Sequence, residues 1–335
     1  MPTLITCQSG YEDLLAKELA GGGAQVNNRG PGWVLAERVP DELAFAHLVL
    51  PETAEVRGES VNALAQRIAD IFLTSLKGER IEAAWPCVFD GPAELVGLGR
   101  RISAVEKAFG ELLKKKLSRV AKLATTDLPR GVGETRGLMV WFTDFGVAQV
   151  ARTIRTNGQR RMADDSLAPS RSYLKVEEAY VVLGLEPKEG ETVVDLGAAP
   201  GGWSYSAAKR GAQVIAIDNG PLKGGALNHP RIEHRREDAF RYAPPAGTTH
   251  DWLFCDMVEE PHHVLQHIVE PWLARGWCRN FVVNLKFGRV DPIALLRELR
   301  APGAPLSRFA PDVRIRHLYH DREEFTLTGS VRAVE

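Results

Sequence analysis

Hydrophobic and polar positions follow two different patterns along the chain, and the change comes near residue 156. Before that point, alternating stretches and helical spacings succeed one another in irregular order. After it, short apolar runs alternate with helical segments, which is typical of a parallel, doubly wound sheet. The sequence therefore predicts an α+β N-terminal region followed by an α/β domain with a mostly parallel sheet.

The N-terminal pattern predicts short strands and four helices. The predicted strands are Thr3–Cys7, Trp33–Ala36, Gly137–Phe142 and Gly146–Ala151. The predicted helices are Tyr11–Leu19, Asp41–Val49, one that begins at Ser60 and one that begins at Ser103. The last two are amphipathic, and we expect Ser103 to open its helix through a capping box with Glu106.

Beyond residue 156 the pattern predicts five strands and a late hairpin. The predicted strands are Glu191–Asp195, Gln213–Asp218, Ile232–Glu237, His250–Asp256 and Asn280–Lys286. Two further strands, near Val313–His320 and Glu324–Val331, are close enough in sequence to pair as an antiparallel edge hairpin. The expected domains are a small α+β lobe over 1–55, a second lobe over 56–155, a polar, turn-rich linker over 156–172 and the α/β domain over 173–335.

Composition excludes several classes of protein. The chain has 335 residues, of which 44% are hydrophobic and 25% charged, as in an average globular protein. No apolar run approaches the ~18–20 residues of a membrane helix, and the N-terminus has no signal-peptide pattern. Its four cysteines lie far apart without a C-x-x-C pair, which favours a reducing cytosol over a zinc site or a disulfide scaffold. We expect a cytoplasmic, metal-independent monomer with no membrane partner.

The net charge of −1 hides two basic segments. Residues 100–122 carry eight bases and two acids, and residues 152–161 carry four arginines and no acid. Local positive potential attracts phosphates whatever the total charge, so these segments are candidates for nucleic-acid contact. Solvated helix faces are the alternative interpretation, and the sequence leaves both open.

A glycine-rich turn is the most informative segment of the chain. An apolar strand ends at Asp195 and turns through Gly197, Gly201 and Gly202 into a helix near Trp203. Without a Cβ atom, these glycines allow positive φ and close approach of a ligand, and N–H groups at a helix start suit an anionic group. The spacing is G-x-x-x-G-G rather than the G-x-G-x-x-G of nicotinamide-binding folds.

Two acids follow the turn in the order that an adenosine-containing cofactor requires. Asp218 ends the next predicted strand, 21 residues after Gly197, where a carboxylate can accept hydrogen bonds from both ribose hydroxyls. Asp238 follows the third strand and could accept from an adenine amino group. Together with the glycine turn, these acids point to S-adenosylmethionine.

Several segments resemble a known family. The loop reads D-L-G-A-A-P-G-G-W-S and resembles the cofactor loop of FtsJ-like ribose 2′-O-methyltransferases. Further segments resemble its RlmM branch, which methylates a cytidine 2′-hydroxyl in large-subunit (23S) ribosomal RNA; they read S-R-S-Y-L-K-V-E-E-A-Y, V-I-A-I-D-N-G-P, C-D-M-V-E-E-P, N-L-K and L-Y-H-D-R-E-E. The resemblance implies a Rossmann-like S-adenosylmethionine methyltransferase domain, preceded by an RNA-binding, THUMP-like region over 56–155.

The resemblance also implies a catalytic tetrad of Lys175, Asp256, Lys286 and Glu324, with Lys286 as general base. Glu323 is the alternative, and strand alternation places the two glutamates on opposite faces. The resemblance favours Glu324, because the family's glutamate immediately precedes its final strand, here Phe325-Thr-Leu-Thr. A ribose hydroxyl needs its proton removed, and a lysine at its reference pKa of ~10.4 is a poor base. Desolvation and a second ammonium group nearby, that of Lys175, would lower the pKa of Lys286. The carboxylates of Asp256 and Glu324 would raise it. We expect a lowered pKa for Lys286, so that activity rises with pH.

The resemblance implies a cofactor set as well. Its members are Ser172, Ala199, Pro200, Gly201, Gly202, Asp218, Asp238 and Asp256. Ser172 precedes the helix of Lys175, where a plain N-cap is the alternative interpretation. Ala199 stands where this branch also carries Cys, and a backbone contact tolerates either residue.

Two other functions stay open at this point. An RNA 5-methylcytosine methyltransferase uses a similar loop but needs a cysteine nucleophile after the fourth strand, where this chain continues Asp256-Met257-Val258. Cys255 precedes that strand end, and we expect it to face the core. A non-catalytic RNA-binding assembly factor is the third possibility. His262, His263 and His267 are expected to form a polar helix face rather than a metal site.

Overall fold

The computed structural model describes residues 1–76 and 78–332. The chain divides into two compact units, Met1–Asn157 and Gly158–Glu335, each with its own sheet and hydrophobic core. Across these described residues, no helix is both long and apolar enough to span a bilayer.

The first unit is built on a nine-stranded, mostly antiparallel sheet in the order β2-β3-β1-β4-β9-β8-β6-β7, with β5 also paired to β9. Its strands are β1 (Thr3–Thr6), β2 (Gln25–Gly30), β3 (Trp33–Glu37), β4 (Leu48–Leu50), β5 (Ala54–Arg57), β6 (Trp85–Asp90), β7 (Ala124–Thr125), β8 (Val132–Asp144) and β9 (Val147–Asn157). Its helices are α1 (Glu12–Gly21), α2 (Val61–Ser75), α3 (Leu98–Lys116) and α4 (Ser118–Leu123).

Helices α2 and α3 bury their apolar faces in one core. Phe72 of α2 stacks on Trp85 at 5.0 Å between ring centroids, and Phe109 of α3 meets Phe72 edge-on at 6.0 Å. The predicted start of α2 is confirmed, because Ser60 Oγ accepts a hydrogen bond of 3.1 Å from the Ala63 N–H.

Two predicted helix features are wrong. Helix α3 begins at Leu98 rather than Ser103, and Ser103 Oγ donates within the helix to the Gly99 carbonyl at 3.1 Å. The capping box is absent because the buried face of α3 already includes Leu98 and Ile102, so packing extends the helix toward its N-terminus.

The segment Asp41–Val49 is not a helix, contrary to the prediction. Residues 43–47 are all buried, a pattern that a one-sided surface helix cannot give. The carboxylate of Glu18 in α1 accepts hydrogen bonds from the N–H groups of Ala44 and Phe45, at 2.7 and 3.1 Å. These long-range contacts hold the backbone in an irregular path that leads into β4.

The second unit contains a seven-stranded sheet in the order β12-β11-β10-β13-β14-β16-β15. Its strands are β10 (Thr192–Leu196), β11 (Gln213–Ile217), β12 (Ile232–Arg235), β13 (His250–Cys255), β14 (Cys278–Lys286), β15 (Arg314–Arg316) and β16 (Glu324–Ser330). Its α-helices are α5 (Tyr173–Leu183), α6 (Gly202–Ala208), α7 (Pro261–Val264), α8 (Glu270–Ala274), α9 (Pro292–Leu299) and α10 (Pro305–Phe309). A 3₁₀ turn covers Gly224–Ala226, and a π-helical turn over Leu265–Val269 joins α7 to α8.

This sheet confirms the predicted α/β fold. Strands β10 to β14 are parallel, while β16 is antiparallel to both β14 and β15. The predicted edge hairpin is therefore present, with β16 lying between β14 and the edge strand β15.

Segment 156–172 begins at the end of β9 and continues into the second unit. The N–H of Arg160 donates to Glu178 at 3.0 Å, and that of Met162 donates to His320 Nε2 at 2.9 Å. In the first unit, β4 pairs with β9, so residues of 1–55 and 56–155 share one sheet. Their division into a small lobe and a THUMP-like domain stays a prediction.

Candidate active site

The strand order of the second sheet reverses between β10 and β13. At such a point the connecting helices leave on opposite faces, and a crevice opens beyond the carboxyl ends of the strands. The glycine-rich turn follows β10, and Asp256 follows β13. Both therefore lie at the edge where ligands bind in this class of sheet.

The glycines of the turn are required by close packing. Gly197 has φ +76°, and a Cβ there would lie 2.2 Å from Met257 Cγ. Gly201 has φ +104°, and its Cβ would lie 2.5 Å from the Cβ of Ala226. Any side chain at either position would collide and would strain the backbone, so the path of the turn depends on glycine.

Asp218 ties the turn to the end of β11. Its Oδ2 accepts a hydrogen bond from the Ala199 N–H at 2.9 Å, and its Oδ1 accepts one from the Gly220 N–H at 2.7 Å. An ionised carboxylate offers about four acceptor positions. Asp218 can therefore hold the turn and still accept hydrogen bonds from hydroxyl groups of a ligand.

Ser172 and Asp238 border the same edge. The hydroxyl groups of Ser172 and Ser170 share a hydrogen bond of 2.7 Å, and the Ser172 carbonyl accepts from Trp203 Nε1 at 2.9 Å. Ser172 precedes α5 but makes no side-chain cap, contrary to the N-cap interpretation. Asp238 is exposed, and its carboxylate accepts from the Phe240 N–H within its own turn.

Asp195 is a buried acid to which the sequence assigned no role. It is 1% exposed at the end of β10 and accepts a hydrogen bond of 2.6 Å from Ser204 Oγ in α6. Burial raises the pKa of Asp195 to about 7, although the Ser204 hydrogen bond opposes this shift. The acid joins the strand before the glycine turn to the helix after it.

The four side chains of the predicted tetrad come together at this edge. Lys286 ends β14 directly opposite Glu324, the first residue of β16, and its Nζ donates to both Asp256 and Glu324. Lys175 reaches the same carboxylates from α5, at 2.5 Å to Glu324 and 3.6 Å to Asp256. Each carboxylate thus lies between two ammonium groups, and the most exposed of the four side chains is only 21% accessible.

The pKa values in this cluster follow from direct contact. Burial alone would lower the pKa of Lys286, but the carboxylates of Asp256 and Glu324 outweigh it and hold this pKa above its usual range. Burial opposes ionisation of Glu324, yet Lys286 and Lys175 lower the pKa of Glu324. The expected lowering of the Lys286 pKa is therefore wrong for this arrangement, because two carboxylates touch its Nζ.

Strand alternation decides between the two adjacent glutamates. Glu324 is 4% exposed and faces both lysines, whereas Glu323 is exposed to solvent. The N–H of Arg322 also donates to Glu324 at 3.2 Å. Glu324 is the glutamate of the cluster.

Cys255 and the histidines lie outside this chemistry. The Cys255 thiol is fully buried, and burial raises its pKa to about 12, so it is not an available nucleophile. His262 hydrogen-bonds to Glu260 at 2.5 Å and to Glu298 at 2.8 Å. Within the described ranges 1–76 and 78–332, no group of three or more His, Cys, Asp or Glu side chains could hold a metal ion.

The two basic segments differ in what their side chains contact. Arg152 is directed inward, where it donates to the Gly137 carbonyl at 2.5 Å and to Ser75 Oγ at 2.7 Å and pairs with Glu79. Its guanidinium also lies 4.8 Å from the centre of the Phe72 ring. Arg152 is therefore structural. The bases at the end of α3 and in α4 are exposed instead, and they are Lys114, Lys115, Lys116, Arg119 and Lys122.

Comparison with known proteins finds relatives that match this chain over nearly its full length. The FtsJ-like methyltransferase family matches residues 168–288. A protein of Xanthomonas oryzae pv. oryzae (strain PXO99A) named "Ribosomal RNA large subunit methyltransferase M" is 34% identical, and the match covers 97% of each chain. Proteins of the same name are 34% identical in Laribacter hongkongensis, over 85% of this chain and 80% of that one, and 30% identical in Actinobacillus pleuropneumoniae, over 96% of each.

The ion pairs of Glu324 predict a pH-dependent loss of stability. Glu324→Gln should lower the free energy of unfolding at pH 7 by about 1.5–3 kcal/mol, the scale of hydrogen bonds to charged groups. Because the folded-state pKa is lowered, this stabilisation is present above the unfolded value of ~4.3 and is lost as the pH falls through the folded pKa. Urea denaturation at pH 7 and at acidic pH measures both effects.

Glu323→Gln is the matched control, since its side chain is exposed and adjacent in sequence. It should change the unfolding free energy by less than about 0.5 kcal/mol. Equal losses in the two variants would contradict the assignment of Glu324 to the buried cluster.

Proposed function

This chain belongs to the ribosomal RNA large subunit methyltransferase M family, and we propose that it methylates the ribose 2′-hydroxyl of a cytidine in 23S ribosomal RNA, with S-adenosylmethionine as methyl donor. The observation that carries the proposal is the buried cluster of two lysines and two carboxylates, at the same sheet edge as the glycine turn. Action in the cytoplasm as a monomer is part of the proposal.

The side chains at this edge fit S-adenosylmethionine by their donor and acceptor chemistry. Asp218 has acceptor capacity for ribose hydroxyls beyond its two backbone contacts. Asp238 would accept from the adenine amino group, while Ser172 and the turn over 199–202 would hold the methionine end. When bound, this cofactor supplies an electrophilic methyl group on a positively charged sulfur.

Lys286 is the proposed general base. As the new C–O bond forms, the 2′-hydroxyl proton passes to Lys286 Nζ, which must be neutral to accept it. Asp256 and Glu324 favour the ammonium form in the free chain. A further positive charge at the edge disfavours that form, so we expect cofactor binding to lower the pKa of Lys286 and a higher pH to increase its neutral fraction. The ammonium group of Lys175 stabilises the developing alkoxide.

The exposed bases of α3 and α4 are the proposed RNA contact. Lys114 and Lys116 make long pairs, 3.6 Å to Glu111 and 3.8 Å to Asp70, in which all four side chains are well exposed. Such surface pairs contribute little to stability, so these lysines can exchange partners for phosphates at low cost.

Replacement of Asp218 should weaken cofactor binding. Asp218→Ala removes the proposed ribose acceptor and the bond that holds the Ala199 N–H, so affinity for S-adenosylmethionine should fall by about 1.5–3 kcal/mol. Calorimetric titration with S-adenosylmethionine measures this loss.

The control is Asp251→Ala at the opposite end of the sheet, where Asp251 also accepts from a backbone N–H, that of Thr192 at 2.8 Å. It should leave affinity nearly unchanged. Tight binding of NAD in place of S-adenosylmethionine, or equal losses in both variants, would refute the cofactor assignment.

Replacement of Lys286 should abolish turnover without loss of cofactor binding. Lys286→Ala should lower the methylation rate by roughly 10²–10⁴, the usual contribution of a positioned acid–base group. The wild-type rate should rise with pH from 6 to 9, because the raised pKa leaves little neutral amine at pH 7, and the residual rate of the variant should lack this rise. Single-turnover assays on transcribed ribosomal RNA measure both.

Lys286→Arg separates a base from a fixed charge, since guanidinium cannot give up a proton at neutral pH. Near-normal turnover in this variant would mean that position 286 supplies charge only.

In cells that lack the gene, mapping of 2′-O-methyl sites should show one missing site that wild type restores and Lys286→Ala does not. An unchanged set of sites would refute the proposed reaction itself.

Neutralisation of the exposed bases should flatten the salt dependence of RNA binding. Replacement of Lys114, Lys115, Lys116 and Arg119 by Gln should reduce the slope of log K against log salt by ~0.7–0.9 for each phosphate that the protein no longer neutralises. Lys17→Gln, an exposed base on α1, is the control and should leave the slope unchanged. An unaltered slope after all four replacements would mean that these bases form a solvated helix face and do not contact RNA.

A further inference from the structure

Three buried side chains behind the tetrad form a continuous hydrogen-bonded chain that the proposed mechanism does not use. Asn284 and Thr326 are fully buried, and Asp321 is 2% exposed. Asn284 Nδ2 lies 3.1 Å from Asp256 Oδ1, Thr326 Oγ1 lies 2.7 Å from Asn284 Oδ1, and Asp321 Oδ2 lies 2.9 Å from Thr326 Oγ1. The chain therefore leads from a tetrad carboxylate to a buried acid.

The number of available protons determines which atom donates in each hydrogen bond of this series. Asp256 Oδ1 accepts from Lys286, so it faces Asn284 as an acceptor and Asn284 must present its NH₂ group to it. The amide oxygen of Asn284 then faces Thr326 and takes the only hydroxyl proton that Thr326 has. Thr326 Oγ1 is left as an acceptor toward Asp321, so the proton of that contact belongs to Asp321.

The other arrangements each leave a buried contact without a proton. If the Asn284 amide were reversed, its oxygen would face the ionised carboxylate of Asp256. If Asp321 were ionised, Thr326 would have one proton for two acceptors, at 2.7 and 2.9 Å. A buried polar atom without its partner loses its solvation with no compensating hydrogen bond, which disfavours both alternatives.

The surroundings of Asp321 also favour a neutral acid. Its Oδ2 accepts from the Leu318 N–H at 2.9 Å, so the proton belongs on Oδ1, which lies 3.1 Å from Thr326 Oγ1 and can donate to it. Glu324 on β16 and Glu178 on α5 disfavour a further negative charge, while Lys175 on α5 favours it. Burial first, and Glu324 second, raise the pKa of Asp321 to about 7.

We propose that Asp321 is a positioning residue that acts as a neutral carboxylic acid, and that through Thr326 and Asn284 it fixes the carboxylate of Asp256 against Lys286. When Asp321 loses its proton, the Thr326 hydroxyl turns to it and Asn284 loses its donor, so Asp256 is held less firmly. The inference rests on the proposed function for its effect on turnover, but the protonation of Asp321 is independent of any activity.

Variants of Thr326 test the hydrogen-bonded connection between Asp321 and Asp256. Thr326→Val removes the hydroxyl at nearly constant volume and should lower kcat about ten- to hundredfold, the scale for small misplacement of a reacting group. Affinity for S-adenosylmethionine should change less than about twofold. Thr326→Ser keeps a hydroxyl and should restore most of kcat. Thr328→Val is the matched control, because Thr328 is buried on the same strand and its hydroxyl has no hydrogen-bond partner among the described residues. Equal effects at positions 326 and 328 would overturn the proposal.

Variants of Asp321 test the proton. Asp321→Asn imitates the neutral acid, since its NH₂ group can donate to Thr326 while its oxygen accepts from Leu318. It should keep kcat at least about tenfold above Asp321→Ala. The acid is protonated below its pKa, so the ratio of wild-type to Asp321→Asn kcat should fall as the pH rises through about 7. If Asn is as damaging as Ala, the proposal fails.

Infrared difference spectra of the protein alone, wild type against Asp321→Asn, detect the acid directly. The variant provides the reference because Asp195 and Glu178 are also buried acids of raised pKa. A protonated-carboxyl band in wild type at pH 6 that disappears above neutral pH supports the assignment, and its absence at pH 6 overturns it. If the band is present but the wild type methylates no RNA, the proton assignment stands and the proposed function fails.

Discussion

The pairing of β14 with β16 is the constraint on which the site depends. Its register places Lys286 opposite Glu324 at the last paired position, and the two side chains meet where both are largely buried. A buried ammonium group is stable only beside its counter-charges, and Lys286 finds them in Glu324 and in Asp256 from the neighbouring strand. Lys175 completes the balance from α5. A shift of β16 by one residue would replace Glu324 with its outward-facing neighbour and leave both ammonium groups short of a partner.

Met257 connects the glycine turn to the charged cluster, because it follows Asp256 and packs against Gly197. This residue follows Asp256 directly, and its side chain occupies the space that a Cβ on Gly197 would need. The absence of a side chain at position 197 therefore allows the segment after β13 to approach the turn after β10. Asp218 fixes the other side of the turn through the Ala199 N–H. The close packing of Met257 against Gly197 thus brings the segment that carries Asp256 beside the proposed cofactor site.

Much of this site could be predicted from sequence because its residues stand at strand ends, where periodicity shows the boundary and motif resemblance supplies the role. Glu324 could be chosen over Glu323 because the family's glutamate immediately precedes its final strand. The errors concern interactions between distant residues. Glu18 determines the path of Ala44 and Phe45, and packing on the core lengthens α3 beyond Ser103. The pKa of Lys286 depends on which charges touch its Nζ, and the chain through Thr326 depends on side-chain directions that no pattern contains.

The balance of charge explains why acids outnumber bases around this edge without destabilising it. Two ammonium groups face two ionised carboxylates, and any further negative charge nearby would lack a partner. Asp195 and Asp321, both buried, have pKa values raised to about 7, and burial raises that of Glu178 to about 8. Each has an ionised or acidic neighbour that adds to the shift: Asp256 for Asp195, Glu324 for Asp321, and Asp321 for Glu178. A raised pKa increases the protonated fraction of each of these three acids near neutral pH and so reduces the excess of negative charge around the two ammonium groups.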